Sequence, residues 1–247
     1  AQQLARMGVD IIEAGFPVAS VGEAESVRQI TTVVDRPTVA ALCRTRAGDI
    51  VTAFRALEQA NHPRLHVFIA TSEIHMVHKL KMTRDQVLEE VRRGVSRCSS
   101  LCSDVEFSAE DATRTDLAFL CEVMTLAVAC GATTVNIPDT VGYTTPVEYD
   151  RMVRAVRQAI GPGAVISTHC HDDLGLAVAN SLAAVLAGAR QIECCVNGIG
   201  ERAGNASLEE VVMALRTRRD VFGVDTRIHT PQLLVTTLQY SNYVGKI

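Results

Sequence analysis

The sequence predicts an α/β fold of the (β/α)8, or TIM, barrel type, with seven of the eight strands present. Three observations carry that expectation. Short β-branched runs alternate with helical patterns, seven such runs occur, and the polar, chemistry-bearing residues gather where those runs end. Alternation at roughly 25–40 residues per unit implies parallel strands joined by crossover helices. An open doubly wound sheet would satisfy the alternation equally well, and the strand count favours the barrel.

The elements follow in order. Residues 1–7 read as the tail of an amphipathic helix already in progress, so a strand is expected upstream of residue 1. Strands are expected at 9–14, 37–42, 64–70, 104–107, 133–137, 164–169 and 191–196. Helical periodicity covers 21–31, 84–99, 116–129, 146–160, 174–187 and 207–218. Gly8-Val9, Gly131-Ala132 and Gly188-Ala189 each place a glycine where a helix must end before the next strand begins. The pattern weakens after Phe222, so residues 1–221 are expected to form the barrel and 222–247 a ragged end or the start of a linker.

Bulk properties narrow the function. A 247-residue chain with 47% hydrophobic and 21% charged residues can build one large core. A net charge of −4 and the absence of Trp supply neither the basic footprint nor the stacking surface of a nucleic-acid binder. No run approaches the ~18 apolar residues of a membrane span, and the N-terminus resembles no signal or transit peptide. The eight cysteines, spread over a long α/β chain, read as reduced intracellular thiols. Cys98 and Cys102 share a helix face, but no second close pair completes a zinc site.

The sharpest motif is Thr168-His169-Cys170-His171-Asp172-Asp173, at the end of a predicted strand. Residues i and i+2 of a strand project to one side, so both imidazoles can reach one divalent cation at the barrel mouth. The same pair could equally close the strand as two hydrogen-bonded polar residues. Next comes Asn197-Gly198-Ile199-Gly200-Glu201-Arg202-Ala203-Gly204-Asn205, whose glycines permit tight turns and close approach to a ligand. Asn205 there is either a helix N-cap or a carbonyl ligand, and Glu201-Arg202 either an exposed ion pair or part of the site. Asn136-Ile137-Pro138-Asp139-Thr140-Val141-Gly142-Tyr143 leaves Asn136, Asp139 and Thr140 at the mouth, suited to a carboxylate-bearing substrate. Glu106, Glu110 and Asp111 end the preceding strand, and His66 taken alone reads as structural.

Together these segments, with Glu13-Ala14-Gly15-Phe16-Pro17 and Lys79-Leu80-Lys81-Met82, resemble the 2-isopropylmalate synthase branch of the DRE-TIM metallolyases. The resemblance runs from the first residues to about Arg218. It implies a barrel that binds a divalent metal (Mg2+, Mn2+ or Zn2+) and condenses acetyl-CoA with a 2-oxo acid. His169 and His171 match the metal-binding histidines, and Asn205 matches an asparagine close to the metal. Thr140 matches the threonine that holds the oxo acid's carboxylate. His66, Ser108, Glu110 and Asn136 match pocket residues, and Leu42 a wall at the side-chain end. Glu110, Thr140 and Glu201 are thereby the expected catalytic residues, Glu13 and Glu201 being suspected substrate or acetyl-CoA contacts.

Further expectations follow from the resemblance: small-molecule partners only, a homodimer in the full-length form, and a setting in bacterial cytoplasm or plastid stroma. Two departures stand out. The family's first strand ends in an Arg-Asp pair, whose Asp is a metal ligand, and this sequence has no counterpart; as it stands the chain is expected to be inactive or impaired. Asp172 also stands where the family often has Asn. The same motifs fit a citramalate, homocitrate or methylthioalkylmalate synthase, which differ in acceptor, or a non-catalytic truncated paralogue.

Overall fold

The computed structural model describes residues 1–244. Helix α1 (Gln2–Met7) leads into β1 (Ile11–Gly15), α2 (Val21–Val33), β2 (Thr38–Arg44), α3 (Ala47–Ala56) and β3 (Pro63–Ala70). A π-helical turn (His75–Leu80) precedes α4 (Arg84–Leu101), β4 (Val105–Glu110), α5 (Leu117–Ala129), β5 (Thr134–Asp139) and α6 (Pro146–Ile160). The chain continues through β6 (Val165–Cys170), α7 (Ala177–Ala187), β7 (Gln191–Glu193), α8 (Leu208–Thr217), α9 (Arg219–Phe222) and α10 (Pro231–Val244).

The seven strands form one parallel sheet in the order β1-β2-β3-β4-β5-β6-β7. A doubly wound sheet reverses its strand order at a switch point, and this sheet never does. It curls instead. Arg64 on β3 reaches Gln191 on β7 at 2.7 Å, and Gln191 donates to Glu106 on β4, also at 2.7 Å. Side chains from distant strands thus meet in one lumen, as a barrel requires.

Strand alternation sorts the side chains. Leu65, Val67, Ile69, Val105, Phe107, Val135, Ile137 and Ile166 face outward into the apolar core beneath the helices. Arg64, His66, Glu106, Ser108, Asn136 and Ser167 face the lumen and are nearly as buried. Barrel interiors are ordinarily filled by Val, Ile and Leu. This one is filled by hydrogen-bonding groups, so each must find a partner. Arg64 pairs with Glu106 at 2.9 Å and Asp104 at 3.0 Å. Gln191 adds a bond to Ser167 at 2.9 Å.

Local signals set the helix ends. Ser20, Asp116 and Ser207 cap α2, α5 and α8 through their side-chain oxygens, and capping boxes start α4 (Thr83, Gln86) and α6 (Thr145, Glu148). Each cap contributes about 1 kcal/mol. Gly8 and Gly188 close α1 and α7 in the left-handed region, as the sequence predicts. All eight cysteines are free. No helix among the described residues is long and apolar enough to cross a membrane.

Beyond Phe222, where the sequence pattern weakens, the structure has α10. His229 N–H donates to the Met7 carbonyl at 2.8 Å, and Ile228 and Leu233 pack with Met7, Leu208 and Val212. Leu234 and Leu238 remain exposed on the same helix. Apolar residues on both faces blur the helical period, which is why the pattern fades there.

The lumen's ion pair is testable. Removing one partner of a buried pair leaves an uncompensated charge. Arg64→Met should lower the unfolding free energy by about 3–5 kcal/mol in denaturant titration, and adding Glu106→Gln should recover part of that loss.

Candidate active site

The site lies where β4, β5, β6 and β7 end. His169 and His171 project side by side, their ring centroids 4.8 Å apart and their planes at 77°. Each ring is fixed through Nδ1. His169 Nδ1 meets Glu193 Oε2 at 2.9 Å, across the β6–β7 register that pairs the two residues. His171 Nδ1 donates to the Thr140 carbonyl at 2.5 Å, a carbonyl that also accepts from Arg202 Nη2 at 2.9 Å. Protons committed to Nδ1 leave a lone pair on each Nε2, and the two Nε2 atoms face one another at 3.2 Å. Lone pairs so placed repel unless a proton or a cation lies between them. Burial opposes charge on both rings. Glu193 nonetheless holds His169 above the ordinary imidazole value, whereas burial, with His169 alongside, holds His171 below it.

A third donor comes from the glycine loop. Asp172 N–H donates to the Gly204 carbonyl at 2.9 Å and Ala206 N–H to the Cys170 carbonyl at 3.1 Å, pairing Asn205 with His171 in an isolated antiparallel bridge. The cap of α8 is Ser207, not Asn205. Asn205 is therefore released from capping, and its Oδ1 is buried without a hydrogen-bond partner. Two imidazole nitrogens and an amide oxygen form a mixed N/O donor set that suits a divalent cation. The Nδ1 contacts to a carboxylate and a backbone carbonyl are those that orient metal-bound histidines.

His66, Glu106 and Glu193 also bring ligand-type atoms within 4.8 Å of one another. Most of their atoms are engaged, and Glu193 Oε1 is buried without a partner. His66 Nδ1 meets Glu13 and its Nε2 meets Ser108 Oγ at 2.6 Å, while Arg64 and Gln191 occupy Glu106. This set is a hydrogen-bonded network. Burial works against charge on His66, but the Glu13 and Glu106 carboxylates outweigh it and push its pKa up to about 10. Glu106 is pushed up to about 7 by burial, against the pull of His66 and Arg64.

A polar shelf adjoins the imidazoles. An imidazolium at His66 donates to Ser108 Oγ, which also accepts from Asn136 Nδ2 at 2.8 Å. The Ser108 hydroxyl proton is then free to point into the lumen, and Asn136 Oδ1 is buried without a partner. Thr140 Oγ1 accepts from Asp111 N–H at 2.9 Å, which leaves its own proton to donate. Asp111 is held in the left-handed region (φ 65°) by Ser72, His75 and Arg114. Gly142 (φ 63°) lets the β5 loop turn against β6, since a Cβ there would lie 2.8 Å from Asp173 N and 2.9 Å from the His171 carbonyl.

The structure thus brings together His169, His171 and Asn205, and beside them His66, Ser108, Asn136 and Thr140. Leu42 pairs with His66 in the β2–β3 register and stays partly exposed. Glu110 is tied to Lys79 of the π-helical turn at 2.6 Å. Glu201 is not drawn in: its side chain is 77% exposed at the rim, 3.4 Å from Arg202. Arg202, for which an exposed ion pair and a place in the site were both open, contacts the Thr140 carbonyl and Asp173, and Glu193 is a site residue that the motifs did not reveal. The signal for Glu193 was its place two residues after Gln191, on the lumen face of a strand.

Two measurements check this geometry. His169→Ala should abolish Mn2+ binding in titration calorimetry. Glu193→Gln, which keeps the shape but loses the charge that orients His169, should weaken binding about 10- to 100-fold.

Known proteins share this architecture. The HMGL-like family matches residues 1–239. A 2-isopropylmalate synthase of Acidimicrobium ferrooxidans is 57% identical over 246 residues, covering 99% of this chain and 48% of that protein. One of Carboxydothermus hydrogenoformans is 54% identical over 247 residues, again 99% and 48%. The chain spans about half the length of these relatives. Among solved structures, a hydroxymethylglutaryl-CoA lyase of Pseudomonas aeruginosa superposes with a TM-score of 0.82 at 21% identity, covering 100% of this chain and 84% of its own. That likeness confirms the parallel α/β barrel architecture. The chain belongs to the HMGL-like family and is a homologue of the catalytic region of 2-isopropylmalate synthases.

Proposed function

We propose that this chain supplies most of the catalytic barrel of a metal-dependent acyltransferase that condenses acetyl-CoA and 2-oxoisovalerate with water to give 2-isopropylmalate and CoA. The observation that carries the reading is the pair of facing Nε2 atoms, with the orphaned amide oxygen of Asn205 on the segment bridged to His171. The identity to 2-isopropylmalate synthases supports the choice of reaction.

A divalent cation held by His169, His171 and Asn205 would supply Lewis-acid polarisation of the keto group. The protein's own groups do the rest. Thr140 and Ser108 offer hydroxyl protons to the oxo acid's carboxylate. The His66 imidazolium is a fixed positive charge that favours an anion in an otherwise acidic lumen. Leu42 bounds the branched side chain. Glu110, with its Lys79 partner, stands at the mouth where acetyl-CoA would enter. The bacterial relatives favour a bacterial cytoplasmic setting, and the family resemblance supports a homodimer.

Thiol release from acetyl-CoA tests the reading, with Mn2+ and a panel of 2-oxo acids, on the chain extended upstream by a strand bearing the Arg-Asp pair. Fastest release with 2-oxoisovalerate supports it. Faster release with pyruvate or 2-oxoglutarate moves the acceptor, and no release with any oxo acid overturns the reaction. In the same assay Thr140→Val should raise the KM for the oxo acid about 10- to 100-fold, the worth of one hydrogen bond to a charged group.

A further inference from the structure

An asparagine side chain presents two different ends, and only its oxygen can bind a cation. To join the histidine pair around a cation, Asn205 must present Oδ1 and not Nδ2. Two contacts fix the amide. Asn205 Nδ2 donates to Cys195 Sγ at 3.1 Å, which commits the amide's nitrogen end and leaves Oδ1 free. Gly200 presses on the amide plane: a Cβ there would lie 2.6 Å from Asn205 Cγ and Nδ2 and 2.7 Å from Oδ1.

The backbone around these contacts leaves little freedom. Cys195 lies two residues beyond Glu193. Its N–H donates to the Ala206 carbonyl at 3.0 Å, and its own carbonyl accepts from Leu208 N–H at 2.9 Å. Asn205 N–H donates to the Gly198 carbonyl at 2.8 Å. The thiol and the amide are therefore fixed relative to one another by backbone bonds on both sides.

From this geometry we infer that Cys195 and Gly200 are positioning residues that clamp the Asn205 amide with its oxygen toward His169 and His171. The inference rests on the cation reading of the site and assigns a task to two residues outside the ligand set. Gly200 in the glycine-rich motif serves close contact with a side chain, and Cys195 serves as a hydrogen-bond acceptor.

Mn2+ titration calorimetry on the full chain tests this, paired with the unfolding temperature without Mn2+. Cys195→Val removes the acceptor at similar size, Cys195→Ser restores one, and Gly200→Ala intrudes on the amide. Asn205→Ala is the reference for complete loss. Cys195→Val and Gly200→Ala should weaken Mn2+ binding about 10- to 100-fold, with the Cys195→Val unfolding temperature unchanged. Cys195→Ser should bind as the unsubstituted chain does. Tight binding by Cys195→Val, when Asn205→Ala binds weakly, overturns the clamp and leaves the cation site standing. So does a Cys195→Val loss matched by a fall in stability that serine does not repair. Tight binding by Asn205→Ala removes the amide's role and the clamp with it. If the unsubstituted chain takes up no Mn2+, with or without the upstream strand of the activity test, the functional reading itself fails, and the clamp falls with it.

Discussion

Two imidazole nitrogens held face to face at 3.2 Å, with the opposite nitrogen of each ring already committed, set the terms for the rest of the site. Neither ring can turn away without abandoning a hydrogen-bond partner, Glu193 in one case and the Thr140 carbonyl in the other. Two lone pairs so placed repel, so the arrangement favours a positive occupant between them. Around this point the protein spends three strand ends and a glycine loop.

The polar lumen is the structural counterpart of that constraint. A barrel filled with apolar side chains would present no groups to orient the histidines or an oxo acid. Here the layer below the mouth is tied together by Arg64, Glu106 and Gln191. The next layer joins Glu13, His66, Ser108 and Asn136 in one hydrogen-bonded chain. The stability of the sheet and the placement of the site therefore share a strand: Gln191 and Glu193, both on β7, serve the first and the second respectively. Buried ion pairs of this kind do not stabilise a fold cheaply. Their use where Val and Leu would pack as well is consistent with a lumen kept polar for its contents.

Much of this was legible in the sequence because strand alternation is a strict rule. His169 and His171 had to share a side, and the chain's Pro and Gly residues marked where strands end. The order of seven parallel strands followed from the alternation of elements. What the sequence could not decide were matters of distance between segments far apart in the chain. Whether Asn205 caps a helix or frees its oxygen turned on Ser207, two residues away, taking the cap. His66 read alone as structural, and its links to Glu13 and Ser108 span 53 and 42 residues. Glu193 lay inside an expected strand, but its meeting with His169, 24 residues away, depends on how that strand pairs with its neighbour. Glu201, conspicuous in its motif, faces the rim because Arg202 beside it adopts a left-handed backbone and turns inward to Asp173 and Thr140.

A cation site at the facing histidines is tested by anomalous diffraction from crystals of the chain soaked in Mn2+. One peak is expected, bonded to the Nε2 atoms of both His169 and His171, with Asn205 Oδ1 turned toward it. A peak seated instead among His66, Glu106 and Glu193, or none near the histidine pair, would contradict it.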